Sequence, residues 1–124
     1  YTHWRKGAKD PINNGITANN IAYVTSDPLY ALIRFFDSRQ VAPVGVNWGY
    51  YNNPKVDALI DEAKTTFDPK KQDELMAQVH ALVVDDAALV WVVHDTNPHA
   101  LNPKVKSFVQ AQHWFQDLTT IGLQ

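Results

Sequence analysis

The sequence contains no cysteine among its 124 residues. A disulfide framework and thiolate chemistry are therefore excluded, and the absence of cysteine fits both the cytosol and the periplasm. Basic residues are also few: eleven lysines and arginines are scattered along the chain, and the net charge is −2. Binding to nucleic acid or to an anionic membrane would require clustered basic residues, so we expect neither partner.

Long hydrophobic runs are missing as well. The longest apolar run, Ala87 to Val93, is far shorter than the roughly 20 residues of a transmembrane helix, so we do not expect a membrane-embedded protein. Residues Tyr1 to Trp4 show neither an initiator Met nor a signal-peptide pattern, and we expect the sequence to come from a longer protein. With 45% hydrophobic residues, the composition is that of a soluble globular domain with a modest core.

The motifs of common enzyme classes are absent. The sequence has no Gly-x-Ser-x-Gly, no phosphate-binding loop and no dinucleotide fingerprint, so we expect no cofactor. Two carboxylate pairs, Asp61–Glu62 and Asp85–Asp86, are present. Neighbouring side chains on a helix point in different directions, which indicates a solvated face and no shared catalytic site.

Histidine occurs five times, yet none of the histidines forms a compact helical pair. Only His94 and His99 are close in sequence, and a proline separates them. A small metal-dependent hydrolase that uses His94, Asp95 and His99 is therefore the competing function, which retention of zinc would favour. A third possible class is an interaction module, which would behave as an obligate oligomer.

Three helices are predicted from local signals. An Asp or Asn followed by proline supplies a capping oxygen and then a residue suited to the first helical position. Three such pairs, each followed by apolar residues at helical spacing, occur in the sequence: Asp27–Pro28, Asn53–Pro54 and Asp68–Pro69. We expect the second and third helices to form a hairpin on a common core. The third should end at Asp85–Asp86, although carboxylates there oppose the helix dipole.

The predicted strands complete an α/β fold. Residues 21–25 form a short β-prone run, and 88–93 form a continuous apolar run that is typical of a central strand buried on both faces. Residues 105–109 and 118–123 are two further candidate strands. We therefore predict helices packed on a small mixed sheet.

The segment from Val44 to Tyr51 has loop composition with three large aromatics, two glycines and an Asn. Aromatic walls and a few polar guides are the mixture found in small-molecule pockets. We therefore consider Trp48 and Tyr50 as walls and Asn47 as a polar guide. The alternative is that the aromatics fold back onto the core of the domain itself.

Several stretches in combination resemble one family. They are Asn47–Ile60, which contains Asn-Pro-x-Val-Asp-x-Leu, then Asp68–Gln72, then the helix into Asp86–Val90. Together they are similar to the carboxy-terminal part of the family 5 extracellular solute-binding proteins. These are the peptide, nickel and oligosaccharide receptors of bacterial ABC importers. The resemblance covers roughly Asp27 to Leu123.

The resemblance implies a two-lobed receptor that closes on a solute and makes or breaks no bond. Residues 1–96 would belong to the carboxy-terminal lobe, and residues 97–124 would return to the amino-terminal lobe. The protein would be periplasmic or extracellular and associated with the cell surface. Its partners would be a small-molecule solute or short peptide and the membrane permease of the importer.

The resemblance also implies a second ligand-facing stretch at Tyr23, Val24 and Thr25. In peptide receptors of this family, an Asp holds the amino group of the peptide. It stands four residues before the proline that corresponds to Pro28. The matching position here is Val24. Because Val cannot pair with an ammonium group, we expect a less cationic solute, with Tyr23 and Thr25 as polar guides.

Overall fold

The computed structural model describes residues 3–15, 27–92, 98–111 and 116–123. The chain divides into two compact units, one of residues 1–21 with 27–90 and one of residues 22–26 with 91–124. The predicted strand at 21–25 lies outside the described residues. The assignment of 1–96 and 97–124 to two lobes stays a prediction.

The first unit is helical. Its described elements are the α-helices α1 (Pro28–Phe36), α2 (Pro54–Thr65) and α3 (Pro69–Asp85), and the 3-10 turns Trp4–Lys6 and Ser38–Gln40. Each α-helix begins at the predicted proline, and the residue before it caps the helix as expected. The side chain of Asn53, for example, accepts from the backbone N–H of Lys55 at 2.9 Å.

The three helices share one core, and the predicted hairpin of α2 and α3 is confirmed. Apolar residues at helical spacing on all three helices meet there, and burial of each of these aliphatic side chains contributes about 1.5–3 kcal/mol. The largest buried group comprises Phe36, Val56, Ile60, Val79 and Val83, and a second group comprises Leu29, Ala63 and Leu75.

The second unit contains a short sheet. Strand β1 (Val105–Lys106) pairs antiparallel with β2 (Gly122–Leu123), with Val105 opposite Leu123. The two strands lie where the sequence predicted them but are shorter. Ser107 has φ 58°, a left-handed conformation that extended strands do not contain, and it ends β1.

The predicted central strand at 88–93 is wrong for its described part. Residues 88–92 form no strand, and Val90 and Val92 are 87% and 81% exposed. A central strand needs a hydrogen-bonded neighbour on each side, and no described segment donates to or accepts from the backbone of 89–92. The mixed sheet is corrected accordingly: within the described residues the only sheet is the two-stranded antiparallel one.

Candidate functional site

The aromatic loop, residues 41–51, connects the 3-10 turn Ser38–Gln40 to the start of α2. It folds back on itself, because the N–H of Asn47 donates to the carbonyl of Gln40 at 2.8 Å and that of Gly45 donates to Val41 at 3.0 Å. Gly45 is required for this path, since a Cβ there would overlap the backbone carbonyl of Gln40.

Asn47 holds the loop together from inside. Its side chain is 2% exposed, and its Nδ2 donates to the carbonyl oxygens of Tyr51 at 2.8 Å and Asp37 at 3.2 Å. Its Oδ1 accepts from the N–H of Tyr51 at 3.0 Å. Both donors of the amide are therefore committed to the backbone of the chain itself. The ligand contact predicted for Asn47 stays a prediction beside this structural role.

Tyr50 joins the loop to the amino-terminal segment. It is half-buried with φ 56°, and its hydroxyl donates to the carbonyl of Ala42 at 2.9 Å and lies 3.2 Å from that of Lys6. The ammonium group of Lys9 lies 4.3 Å from the centre of the Tyr50 ring, a cation–π contact. Gly7 permits this approach, since a Cβ there would lie 2.9 Å from the ring.

Trp48 packs beside helix α1. Its ring centre is 5.9 Å from that of Phe35, with the planes tilted by 49°, and its carbonyl accepts from the N–H of Ala8 at 2.7 Å. The indole is half-buried, so part of its surface faces solvent. The loop thus folds partly back onto its own domain, as the second interpretation of its composition has it, and its role in a ligand pocket stays a prediction.

The end of the loop is tied to the end of α3 by Asp86. The hydroxyl of Tyr51 donates to this carboxylate at 2.6 Å, and the side-chain amide of Asn53 donates to it at 2.7 Å. These donors hold the pKa of Asp86 below its usual range, while burial and the nearby carboxylate raise the pKa of Tyr51 to about 12. The unfavourable position of Asp86 at a helix C-terminus is therefore offset by two hydrogen bonds that sequence reasoning missed.

The start of the loop is fixed by an arginine between two carboxylates. Arg39 donates to Asp37 at 2.7 and 2.8 Å and to Asp61 at 2.8 and 3.0 Å. Asp37 is 1% exposed, and the Arg39 guanidinium lowers the pKa of its carboxyl. The same guanidinium, with help from Lys64, lowers the pKa of Asp61 to about 2. The planar guanidinium of Arg39 thus binds the carboxylates of Asp37 and Asp61 at the same time and links the 3-10 turn Ser38–Gln40 to α2.

A half-open cleft of about 360 Å³ lies between the loop and helix α1, within the first unit. The loop contributes apolar residues to its lining, and two arginines contribute charged groups. The lining residues are Arg5, Arg34, Pro43, Val44, Gly45, Val46 and Trp48. Of the predicted ligand-binding residues, Trp48 lines this cleft; Asn47 and Tyr50 do not. Tyr23, Val24 and Thr25 lie outside the described residues.

The metal-dependent hydrolase gains no support. Among the residues that the structure describes, no three His, Asp or Glu side chains come together as a metal site. His94 and Asp95 lie outside those residues, and the ring of His99 stands 5.4 Å from the ring of Phe108.

No described helix is long and apolar enough to cross a membrane.

Comparison with known proteins gives one partial match. Over 84 residues the chain is 32% identical to a probable D,D-dipeptide-binding periplasmic protein of Escherichia coli (strain K12). The match covers 68% of this chain but spans only 16% of the length of that relative. The chain is therefore related to part of a solute-binding protein. No family model matches the chain, and no solved structure matches it.

Proposed function

We propose that this chain is part of a solute-binding receptor of an ABC-type importer. The receptor captures a small solute, either peptide-like or another polar or amphipathic molecule, and makes or breaks no bond. The observation that carries this proposal is the 32% identity over 84 residues to a periplasmic protein named for binding D,D-dipeptides. A periplasmic or cell-surface location and a membrane permease as partner belong to the same proposal.

In this proposal the solute meets two stretches of the chain. Trp48 supplies an apolar wall, for which its half-buried indole at the cleft is the structural support. Tyr50 is a second apolar wall and Asn47 a polar guide in this proposal, and their hydrogen bonds to backbone carbonyls also shape the loop. Tyr23 and Thr25 serve as polar guides, and the apolar Val24 makes a free ammonium group an unfavourable feature of the solute.

The proposal further assigns residues 1–96 to one lobe of a two-lobed receptor and residues 97–124 to the other. A cleft built between two lobes loses about half of its contacts when one lobe is absent. The 124-residue chain alone is therefore expected to bind the solute of the receptor much more weakly than the complete natural polypeptide does.

The decisive experiment is calorimetry on the complete natural polypeptide. D-alanyl-D-alanine, its L,L isomer and their N-acetyl derivatives form the first panel, because they vary stereochemistry and the ammonium charge separately. Trp48→Ala is expected to lower the affinity, and Trp91→Ala is the matched control outside the loop. If Val24 has the proposed role, Val24→Asp will strengthen binding of the peptides with a free amino group and leave the acetylated ones unchanged.

Two results would contradict the proposal. Turnover of a bound peptide, followed by proton NMR and abolished together with bound zinc by His94→Ala, would favour the hydrolase. Failure of the complete polypeptide to bind any member of a broad peptide and oligosaccharide panel would remove the receptor function. Micromolar binding of the receptor's solute by the 124-residue chain would contradict only the two-lobe requirement.

A further inference from the structure

Arg34 occupies an unusual position for a surface arginine. It is half-buried on helix α1 and lines the cleft together with apolar residues of the aromatic loop. Its Nη1 donates to the hydroxyl of Tyr30 at 2.9 Å, and the guanidinium carbon lies 5.4 Å from the Tyr30 ring centre and 5.9 Å from that of Phe35. Stacking against aromatic rings restricts the orientation of this planar cation.

The charge of Arg34 is not neutralised within the part of the chain that the structure describes. No carboxylate there lies within ion-pair distance of it. Arg39 is the useful comparison, since two carboxylates, those of Asp37 and Asp61, bind its guanidinium. An arginine has five N–H donors, and the hydroxyl of Tyr30 uses one of those on Arg34. The remaining donors can serve a carboxylate from outside the chain.

The aromatic loop contributes apolar residues to the lining of the cleft. Trp48, Val46 and Pro43 line it, and the packing of Trp48 beside Phe35 at 5.9 Å gives it a firm aromatic surface. Arg5 lines the same cleft. A volume of about 360 Å³ is at the lower end of small-molecule pockets, which suits a compact ligand of one or two rings.

We propose that this cleft binds an amphipathic organic anion, with its carboxylate on Arg34 and its flat apolar body against Trp48. The inference rests on the proposed function, because it shares Trp48 with the loop proposed to face the solute, and it adds the charge of that solute. The cleft lies within one unit, so the 124-residue chain suffices for the test.

The test is a titration followed by NMR. The probes are 2-naphthoate and the isosteric but uncharged 2-naphthamide, and the reporter is the indole N–H of Trp48, assigned by its loss in Trp48→Phe. We expect saturable shifts with 2-naphthoate in the millimolar range, as is usual for a small ligand in an open cleft. The amide should bind about five- to tenfold more weakly, which is the contribution of a charge-assisted hydrogen bond in a partly exposed site.

Variants separate charge from folding. Arg34→Gln should reduce the affinity for 2-naphthoate about five- to tenfold and leave that for 2-naphthamide unchanged. Lys70→Gln, which removes an exposed positive charge on α3, is the matched control and should change neither. Thermal melts of the variants establish that each is folded. Equal binding of the two probes, equal effects of Arg34→Gln and Lys70→Gln, or no saturable shift would overturn the proposal.

The same variant in the complete polypeptide separates this inference from the proposed function. If that polypeptide captures a neutral or cationic solute and Arg34→Gln has no effect, solute capture stands and the anion site fails. If it captures nothing while the 124-residue chain binds 2-naphthoate through Arg34, the anion site stands and the receptor function fails.

Discussion

Replacing Asn47 by Ala tests whether the aromatic loop is held by this one amide. The substitution removes three hydrogen bonds to backbone groups of Asp37 and Tyr51. A typical hydrogen bond contributes about 0.5–1.5 kcal/mol net, and buried groups left without a partner cost more. Since the side chain is 2% exposed, water cannot readily replace it. We therefore expect the free energy of unfolding to fall by about 2–4 kcal/mol.

The assay is urea denaturation followed by circular dichroism at 222 nm, which reports the helices of the first unit. The midpoint should fall while the slope stays constant, since the surface exposed on unfolding does not change. Asn52→Ala is the matched control: Asn52 is exposed, and its replacement should change stability by less than about 0.5 kcal/mol. If Asn47→Ala costs no more than this control, the structural role assigned to Asn47 is wrong.

Three further predictions concern the same unit. Gly45→Ala places a Cβ against backbone and should cost about 1–3 kcal/mol in thermal melts, whereas Gly49→Ala, with no atom within 4 Å, should be tolerated. Ile60→Ala in the buried core should cost about 2–5 kcal/mol in urea. Because Arg39 lowers the pKa of Asp61 from 3.8 to about 2, the stability that Asp61 contributes is present above pH 3.8 and is lost toward pH 2. Asp61→Asn should therefore reduce the fall in the free energy of unfolding between pH 3.8 and pH 2. An unchanged fall would count against the ion pair.

The helices were predictable because their signals are local. A capping oxygen, a proline at the first helical position and an apolar face lie within a few residues of one another, so the sequence contains the whole cause. The cap at Asn53 and the buried face through Val56 and Ile60 are both as predicted. The bonds of Asp86 join residues 33 and 35 positions apart, and no local pattern indicates them.

The prediction of a strand at residues 88–93 failed because a strand depends on neighbours that are distant in sequence. Residues 88–92 have the composition of a buried strand, but a strand is defined by its neighbours, and neighbours are a property of the whole fold. The helix ends in a turn at Ala87, where φ is 50°, and the backbone of residues 89–92 has no hydrogen-bonded partner among the described residues. Apolar composition alone therefore predicted burial where the structure has exposure.

The candidate site was predicted in part. The aromatic loop was identified from composition, but composition does not distinguish a residue that builds a loop from one that a ligand contacts. Asn47 and Tyr50 direct their polar groups to backbone carbonyls, whereas Trp48 lines the cleft. Arg34 and Arg39 look alike in the sequence, and only the structure shows that Arg39 is neutralised by two carboxylates.

The separation between residues that build the loop and residues that line the cleft affects which solutes can be selected. If the amide of Asn47 and the hydroxyl of Tyr50 are committed to the scaffold, the loop cannot select a solute through them without losing its own hydrogen bonds. Recognition at this cleft is then left to the indole surface of Trp48 and the guanidinium of Arg34, that is, to shape and charge. Discrimination among solutes should therefore follow net charge and ring size, and the loop's polar residues should govern stability.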